Sequence, residues 1–209
     1  MFQTKPLILS QIKTDVMDHF SSSTAFWPDT LQVDFRYSTF AETGGESKTV
    51  SYLTDYESRI RDKKYFWLGN LSSLESIDIV RSLYISNNPS HLIYYANKFY
   101  SKIKWHSSVF IATSFHYNID VLKTLFGHFN QIKVISVFPS GNQYSYLRAI
   151  TELALLKDNY SIVPLPDAYL ITKEDASEEW RTPSKDFYIS HLQRQFKYRV
   201  SCRHHFLKL

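Results

Sequence analysis

The chain has 209 residues, one cysteine and a formal net charge of +4, so it fits one mildly basic domain without an internal disulfide. Only 5 glycines are present against 15 Tyr and 15 Phe, which excludes the glycine-rich loops of dinucleotide-binding and P-loop proteins. Because no apolar run approaches the ~20 residues that span a bilayer and no secretory leader is evident, we expect a cytoplasmic protein without membrane contact.

The first part of the chain, residues 1–76, is predicted to be an α+β extension. Apolar residues within 7–20 recur at helical spacing, which indicates a short amphipathic helix. Residues 30–40 instead alternate with period two, as in a half-buried strand, and residues 49–53 form a plausible partner strand after a glycine turn. The extension is therefore expected to contain both a helix and a β-hairpin.

From residue 77 to about residue 195, short apolar runs alternate with longer helical stretches. The predicted strands and helices alternate in the order 80–86, 89–100, 108–113, 119–129, 132–138, 144–156 and 160–165, starting and ending with a strand. Asn88 or Asn87 is available to cap the first of these helices, and Pro89 fits its first turn. This alternation predicts an α/β core with a mainly parallel sheet covered on both faces.

Ligand sites on such sheets lie beyond the carboxyl ends of the strands. The side chains expected to line this cleft are Asn87, Asn88, His91, Ser114, His116, Ser140 and Asn142. His91 lies one turn into its helix, where it could contact a phosphate or simply be hydrogen-bonded within the protein. Mg²⁺ needs clustered carboxylates, but Asp120 and Glu152 fall inside predicted helices, so we expect no metal, cofactor or catalytic residue here.

The remaining candidates for covalent chemistry or metal binding are weak. Cys202 has no local catalytic sequence pattern, which favours a partly buried or surface thiol. Ser114 and His116 point to the same side of an extended chain, but no third member of a catalytic triad can be assigned. His204 and His205 are adjacent and point apart, without a cysteine or carboxylate at zinc spacing, which favours a solvated tail.

Three local segments accompany this order of elements: FWLGN at 66–70, LYISNNPSHLIYY at 83–95 and SKDFYISHL at 184–192. With them, residues 67–192 resemble the Toprim domain, in the versions found in primase-like and mobilization proteins of bacterial mobile elements. The resemblance implies a Toprim-like α/β core over residues 77–195, with a role in DNA processing.

The resemblance also implies that catalysis is lost, because the acidic residues of the family are replaced. Asn87 stands where the family has its metal-binding glutamate, and His91 stands where it has a nearby aspartate. Pro139 and Gly141 occupy the positions of the paired aspartates after the third strand. Without these carboxylates most of the charge that would hold Mg²⁺ is missing, so the chain is expected to be a degenerate, non-catalytic member.

Basic and aromatic residues are interleaved in the last segment, residues 196–209, which is predicted to be a basic C-terminal tail, and just before it. The candidates for phosphate contact are Arg194, Lys197, Arg199, Arg203 and Lys208. The alternative is a terminal strand or helix that docks its apolar side on the sheet and leaves its charges in water. Lys102 and Lys104, near Arg81, form a second basic group.

Three functional hypotheses follow. The first is a non-catalytic Toprim-like protein that binds DNA, RNA or a DNA-processing protein. The second is a metal-dependent enzyme of the nuclease or primase type, whose acidic site is rebuilt from Asp120, Asp167 or Asp186. The third is a protein-interaction module whose abundant Tyr and Phe form an interface.

Overall fold

The computed structural model describes residues 12–21, 67–70, 76–113, 119–127, 129, 132–139, 144–156, 159–175, 179–183 and 202–207. The helices are α1 (Thr14–Ser21), α2 (Pro89–Lys98), α3 (Ile119–Gly127) and α4 (Ser145–Ala154). The strands are β1 (Trp67–Gly69), β2 (Ser82–Ser86), β3 (Ser108–Ala112), β4 (Lys133–Pro139), β5 (Tyr160–Pro164), β6 (Ala168–Lys173), β7 (Glu179–Pro183) and β8 (Cys202–Leu207). Short 3₁₀ turns occupy Ile77–Ile79, Tyr100–Lys102 and Trp105–Ser107.

The fold is mixed α/β, built on a five-stranded sheet in the order β1-β3-β2-β4-β8. Four of these strands, β3, β2, β4 and β8, are parallel, and β1 pairs antiparallel with β3 at one edge. The predicted mainly parallel sheet is therefore confirmed. Its central strands are apolar and buried along almost their whole length, as expected when helices cover both faces.

Two hydrophobic layers lie on opposite faces of this sheet. On one face, α3 and α4 pack Leu125 and Ile150 against alternate sheet residues such as Ile85. On the other face, α1 and α2 pack Phe20 and Leu92 against the intervening residues. Each fully buried side chain of this size contributes roughly 1.5–3 kcal/mol, so both layers stabilise the sheet.

The helix after β2 is capped as the sequence predicts. The Asn88 side-chain Oδ1 accepts a hydrogen bond from the Ser90 backbone N–H at 2.8 Å, and Pro89 opens the helix. The helix ends at Lys98 rather than at residue 100, because residues 100–102 tighten into a 3₁₀ turn. This cap fixes the direction in which the chain leaves the carboxyl end of β2.

The strand predicted over residues 160–165 does not extend the parallel sheet, so that expectation is wrong. It is β5, the first strand of a separate antiparallel sheet in the order β5-β6-β7. Only three residues, 165–167, join β5 to β6, and so short a connection can link only antiparallel neighbours. The fourth parallel strand is instead β8, which pairs with β4 from Val134↔Cys202 to Pro139↔Leu207.

Parts of the predicted extension and tail belong to the main sheet and its core. Val16 and Phe20 of α1 are fully buried in the second hydrophobic layer, and this helix begins at Thr14. The end of β1 is held by Asn70, which has a φ of 66° and whose Nδ2 donates to the carbonyls of Trp105 and Ser108, each at 2.7 Å. The predicted strands at 30–40 and 49–53 lie outside the described residues.

Within the described segments, no helix combines the length and apolar character that crossing a bilayer requires.

Candidate functional site

The carboxyl ends of β2 and β4 form the point at which the chain changes direction across the sheet. The chain runs from β2 to β3 on one side of β2, and then from β3 to β4 on the other side of β2. In open α/β sheets such a switch point leaves a crevice between neighbouring strand ends. Here the polar residues Ser86, Asn87, Asn88 and Thr113 at the strand ends are all buried.

Three of the polar side chains at this crevice are joined by hydrogen bonds. His91 Nδ1 lies 3.1 Å from Asn87 Oδ1 and 3.2 Å from Ser86 Oγ, and the Ser86 hydroxyl donates to Asn87 Oδ1 at 3.4 Å. Burial lowers the pKa of His91 from 6.5 to about 4, so the imidazole is neutral near pH 7. Because Asn87 Oδ1 only accepts, the network assigns the ring proton to Nδ1.

This arrangement leaves two buried polar atoms without partners. Asn87 Nδ2 and His91 Nε2 have no hydrogen-bond partner among the described residues. The rings of Tyr144 and His91 lie side by side, with centroids 6.5 Å apart and planes 86° apart. The carboxyl end of β2 thus holds one unpaired amide donor and one unpaired imidazole acceptor near the Tyr144 ring.

The structure brings together three of the residues predicted for this cleft. Asn87 and His91 are in direct contact. Asn88 is next in sequence, but its side-chain oxygen accepts the hydrogen bond that caps α2. The other predicted cleft residues, Ser114, His116, Ser140 and Asn142, lie outside the described residues, as does Gly141.

A second polar cluster joins α4 to β8. His204 Nε2 is hydrogen-bonded to Glu152 Oε1, and the same nitrogen lies 3.8 Å from Cys202 Sγ. Cys202 Sγ is in turn 3.6 Å from Ser136 Oγ on β4. The prediction of a solvated tail at His204 is wrong, because this side chain points into the protein while His205 points to the other face of the strand.

This cluster does not have the geometry of a nucleophile with its base. In a catalytic relay the two imidazole nitrogens carry different partners, whereas both Cys202 and Glu152 approach Nε2 of His204. Burial, aided by the charge of Glu152, raises the pKa of the Cys202 thiol to about 12, so the thiol stays protonated. The cluster therefore links the terminal strand to α4 and β4. Cys202 is partly buried there, which is one of the two alternatives, a partly buried or a surface thiol, that the sequence left open.

The acidic residues considered for a rebuilt metal site occupy separate elements. Asp120 lies in the first turn of α3, and Asp167, between β5 and β6, pairs with Arg181 at 3.3 Å. Asp186 lies outside the described residues. Among the residues that the structure describes, no three His, Cys, Asp or Glu side chains are placed to hold a metal ion.

Basic and aromatic side chains meet where the carboxyl end of α2 packs beside β8. We call this surface the basic aromatic patch; it consists of Lys98, Phe99, Lys102, Lys133, Arg203 and His205. The amines of Lys98 and Lys102 lie 5.8 Å and 5.5 Å from the centroid of the Phe99 ring. The rings of Phe99 and His205 are 6.1 Å apart, so the helix and the terminal strand share one surface.

Like charges are concentrated around His205. Burial lowers its pKa, and the nearby basic side chains of Lys133, Arg203, His204 and Lys102 lower it further. Lys98, Lys102 and Arg203 are exposed, whereas Lys133 is half-buried. A cluster of this kind repels further protonation and attracts anions.

Sequence reasoning anticipated only part of this patch. Arg203 and Lys102 were predicted in two separate basic groups, and the structure joins them through His205. Lys98 and Lys133 were not singled out, because nothing local shows that β8 lies beside them. The other candidates, Arg194, Lys197, Arg199 and Lys208, lie outside the described residues, and Lys104 is exposed on the turn before β3.

Comparison of the chain with protein-family models, with curated proteins and with solved structures finds no match.

Proposed function

We propose that the protein binds nucleic acid through the basic aromatic patch and does not cleave it. The observation that carries the proposal is the convergence of Lys98, Lys102, Lys133 and Arg203 on the aromatic pair Phe99 and His205. Lysine and arginine neutralise phosphates and release counterions, and aromatic rings offer faces on which bases can stack. The patch places exposed positive charges beside two half-buried aromatic rings on one surface.

The alternative of an aromatic protein interface receives less support. The described aromatic side chains are largely used inside the protein: Tyr84 stacks on Phe110 at 4.7 Å, and Phe20 packs against Phe110 at 5.1 Å. Among the described residues, the exposed large apolar side chains are Val163 and Phe206. Most aromatic side chains in the described part of the chain therefore belong to the hydrophobic layers of the protein.

A neutral crevice supports the absence of cleavage in this proposal. At the carboxyl end of β2, where a metal-dependent site would need carboxylates, the buried side chains Asn87 and His91 are uncharged, and residues 140–143 after β4 lie outside the described residues. We further propose that the chain is a degenerate, Toprim-like protein derived from a mobile element. The mainly parallel five-stranded sheet supports the fold part of this proposal, and the resemblance of residues 67–192 supports the origin.

Binding of fluorescent single-stranded DNA, double-stranded DNA and RNA tests the proposal, at 50 and 200 mM salt, with and without Mg²⁺. With four phosphate contacts on a duplex, affinity should fall on the order of 10²-fold between these salt concentrations. The labelled strands should stay intact with Mg²⁺. Salt-insensitive binding, binding to none of the three, or Mg²⁺-dependent cleavage would contradict the proposal.

A charge-matched control separates the patch from general basicity. Lys102→Ala and Arg203→Ala remove exposed charges from the patch and should each weaken binding. Lys123→Ala removes the same charge from α3, which packs on the opposite face of the sheet, where its amine bonds the Asn159 side chain at 2.7 Å. Equal weakening by Lys123→Ala would show that the patch is not the binding surface.

A further inference from the structure

The crevice at the switch point holds a hydrogen-bonding pair whose partners are incomplete. Asn87 Oδ1 is already occupied, since it accepts from the His91 ring N–H at 3.1 Å and from the Ser86 hydroxyl at 3.4 Å. Asn87 Nδ2 and His91 Nε2 remain without partners among the described residues, and both residues are 3% exposed. A buried polar group left unpaired costs about 1–3 kcal/mol, so a bound partner would recover that energy.

We propose that this crevice binds an uncharged group that carries a donor beside an acceptor, which is the chemistry of a carboxamide or of a nucleobase edge. Asn87 Nδ2 would donate to the ligand's acceptor, and His91 Nε2 would accept from its N–H. The proposal does not rest on nucleic-acid binding by the basic aromatic patch, which lies near the opposite ends of the strands.

Charged ligands fit the same atoms poorly. An anion would meet the lone pair of His91 Nε2, because the ring proton is held on Nδ1 by Asn87. A cation would meet the amide hydrogens of Asn87. The Asn88 oxygen is not available to either kind of ligand, since it caps α2 through the Ser90 N–H. One donor and one acceptor therefore select a neutral partner that has both.

The surroundings favour a flat partner. Tyr144 is buried and presents its ring at 86° to the His91 ring, and it lies nearly parallel to Phe138, with an interplanar angle of 12°. Carboxamides and nucleobases are planar, so they can lie against an aromatic wall while their edge reaches Asn87 and His91. Their hydrogen-bonding groups lie in that plane.

Nitrogen NMR on the ¹⁵N-labelled full chain tests this, with nicotinamide as the carboxamide probe and uridine and adenosine as nucleobase probes. We expect at least one probe to shift the His91 Nε2 and Asn87 side-chain amide signals in a saturable way. Signals that shift with nicotinamide alone would identify a carboxamide site, and signals that shift with uridine or adenosine would identify a nucleobase site. No saturable shift with any of the three, or a tighter response to inorganic phosphate or MgCl₂, would overturn the proposal.

Matched substitutions make the test specific. Asn87→Asp keeps the side-chain shape but removes the donor, and should weaken the responding probe at least about tenfold. Asn97→Asp makes the same change further along α2, at a side chain that accepts from the Lys13 backbone N–H, and should leave probe binding unchanged. Equal affinity of Asn87→Asp and wild type would contradict the proposal, and Lys102→Ala should not affect this site.

Discussion

Lowering the pH from 7 to 5 should destabilise the protein through the imidazole of His91. In the folded chain its pKa is lowered to about 4 by burial, whereas the exposed side chain of the unfolded chain titrates near 6.5. Below pH 6.5 His91 therefore binds a proton in the unfolded state but stays neutral in the folded state. The contribution of neutral His91 to the free energy of unfolding is fully present above pH 6.5. It decreases as the pH falls to about 4, where His91 of the folded protein also becomes protonated.

The size of this effect follows from the two pKa values. Each pH unit across the window between them costs up to ~1.4 kcal/mol, so the change from pH 7 to pH 5 costs roughly 2 kcal/mol at this site. His19 and His205 also have lowered pKa values, for which burial is the largest cause, and they add to the loss in the same direction. The contribution of His91 must therefore be isolated by substitution.

Urea unfolding of wild type and His91→Gln at both pH values isolates it, because the other histidines contribute equally to both proteins. The wild type should lose roughly 2 kcal/mol more than the variant between pH 7 and pH 5. His91→Gln should also be less stable at pH 7, since the hydrogen bonds of the ring are lost or altered. An identical pH dependence in the two proteins would refute the assignment of a buried neutral His91.

Three further predictions concern other parts of the fold. Glu152→Ala should lower the free energy of unfolding by about 3 kcal/mol in urea, because it removes the buried partner of His204. Glu152→Gln keeps a hydrogen-bond acceptor and should lower it less. Equal losses in the two variants would contradict this pairing. Asn88→Ala should cost about 1 kcal/mol through loss of the helix cap, and Asn88→Asp should retain most of it in the same assay. Because its pKa is raised, Cys202 should react with a thiol reagent at pH 8 at least about a hundredfold more slowly in the folded protein than in urea. Equally rapid labelling of the folded protein would contradict the raised pKa.

The parallel core could be predicted because its sequence pattern is local and strong. Each strand from residue 82 to residue 139 is a short apolar run between longer helical stretches, and Asn88 and Pro89 mark the start of a helix. The assignment of residues 160–165 to the same sheet was wrong, because an isolated apolar run does not reveal which neighbour it pairs with. Strands β6 and β7 were missed because their patterns are weak. β6 ends in the polar residues Thr172 and Lys173, which leaves an apolar run of only four residues, 168–171. Exposure does alternate along the five residues of β7, but Trp180 is its one large apolar side chain.

For the candidate sites too, local sequence patterns could be predicted and long-range contacts could not. The rule that ligands bind beyond strand ends found Asn87 and His91, because both follow a recognisable buried strand. The pairing of Glu152 with His204 spans 52 positions in the chain and has no local sequence pattern. The basic aromatic patch likewise depends on β8 lying beside β4, a long-range pairing that brings Arg203 close to Lys102.

The salt dependence of nucleic-acid binding, compared between wild type and Lys102→Ala, tests the central claim most directly. Affinity is measured over a series of salt concentrations, and the slope of log K against log salt counts the phosphates neutralised. The account predicts a slope about one unit shallower for Lys102→Ala and an unchanged slope for Lys123→Ala. Equal slopes for wild type and Lys102→Ala, or no measurable binding by wild type at low salt, would contradict it.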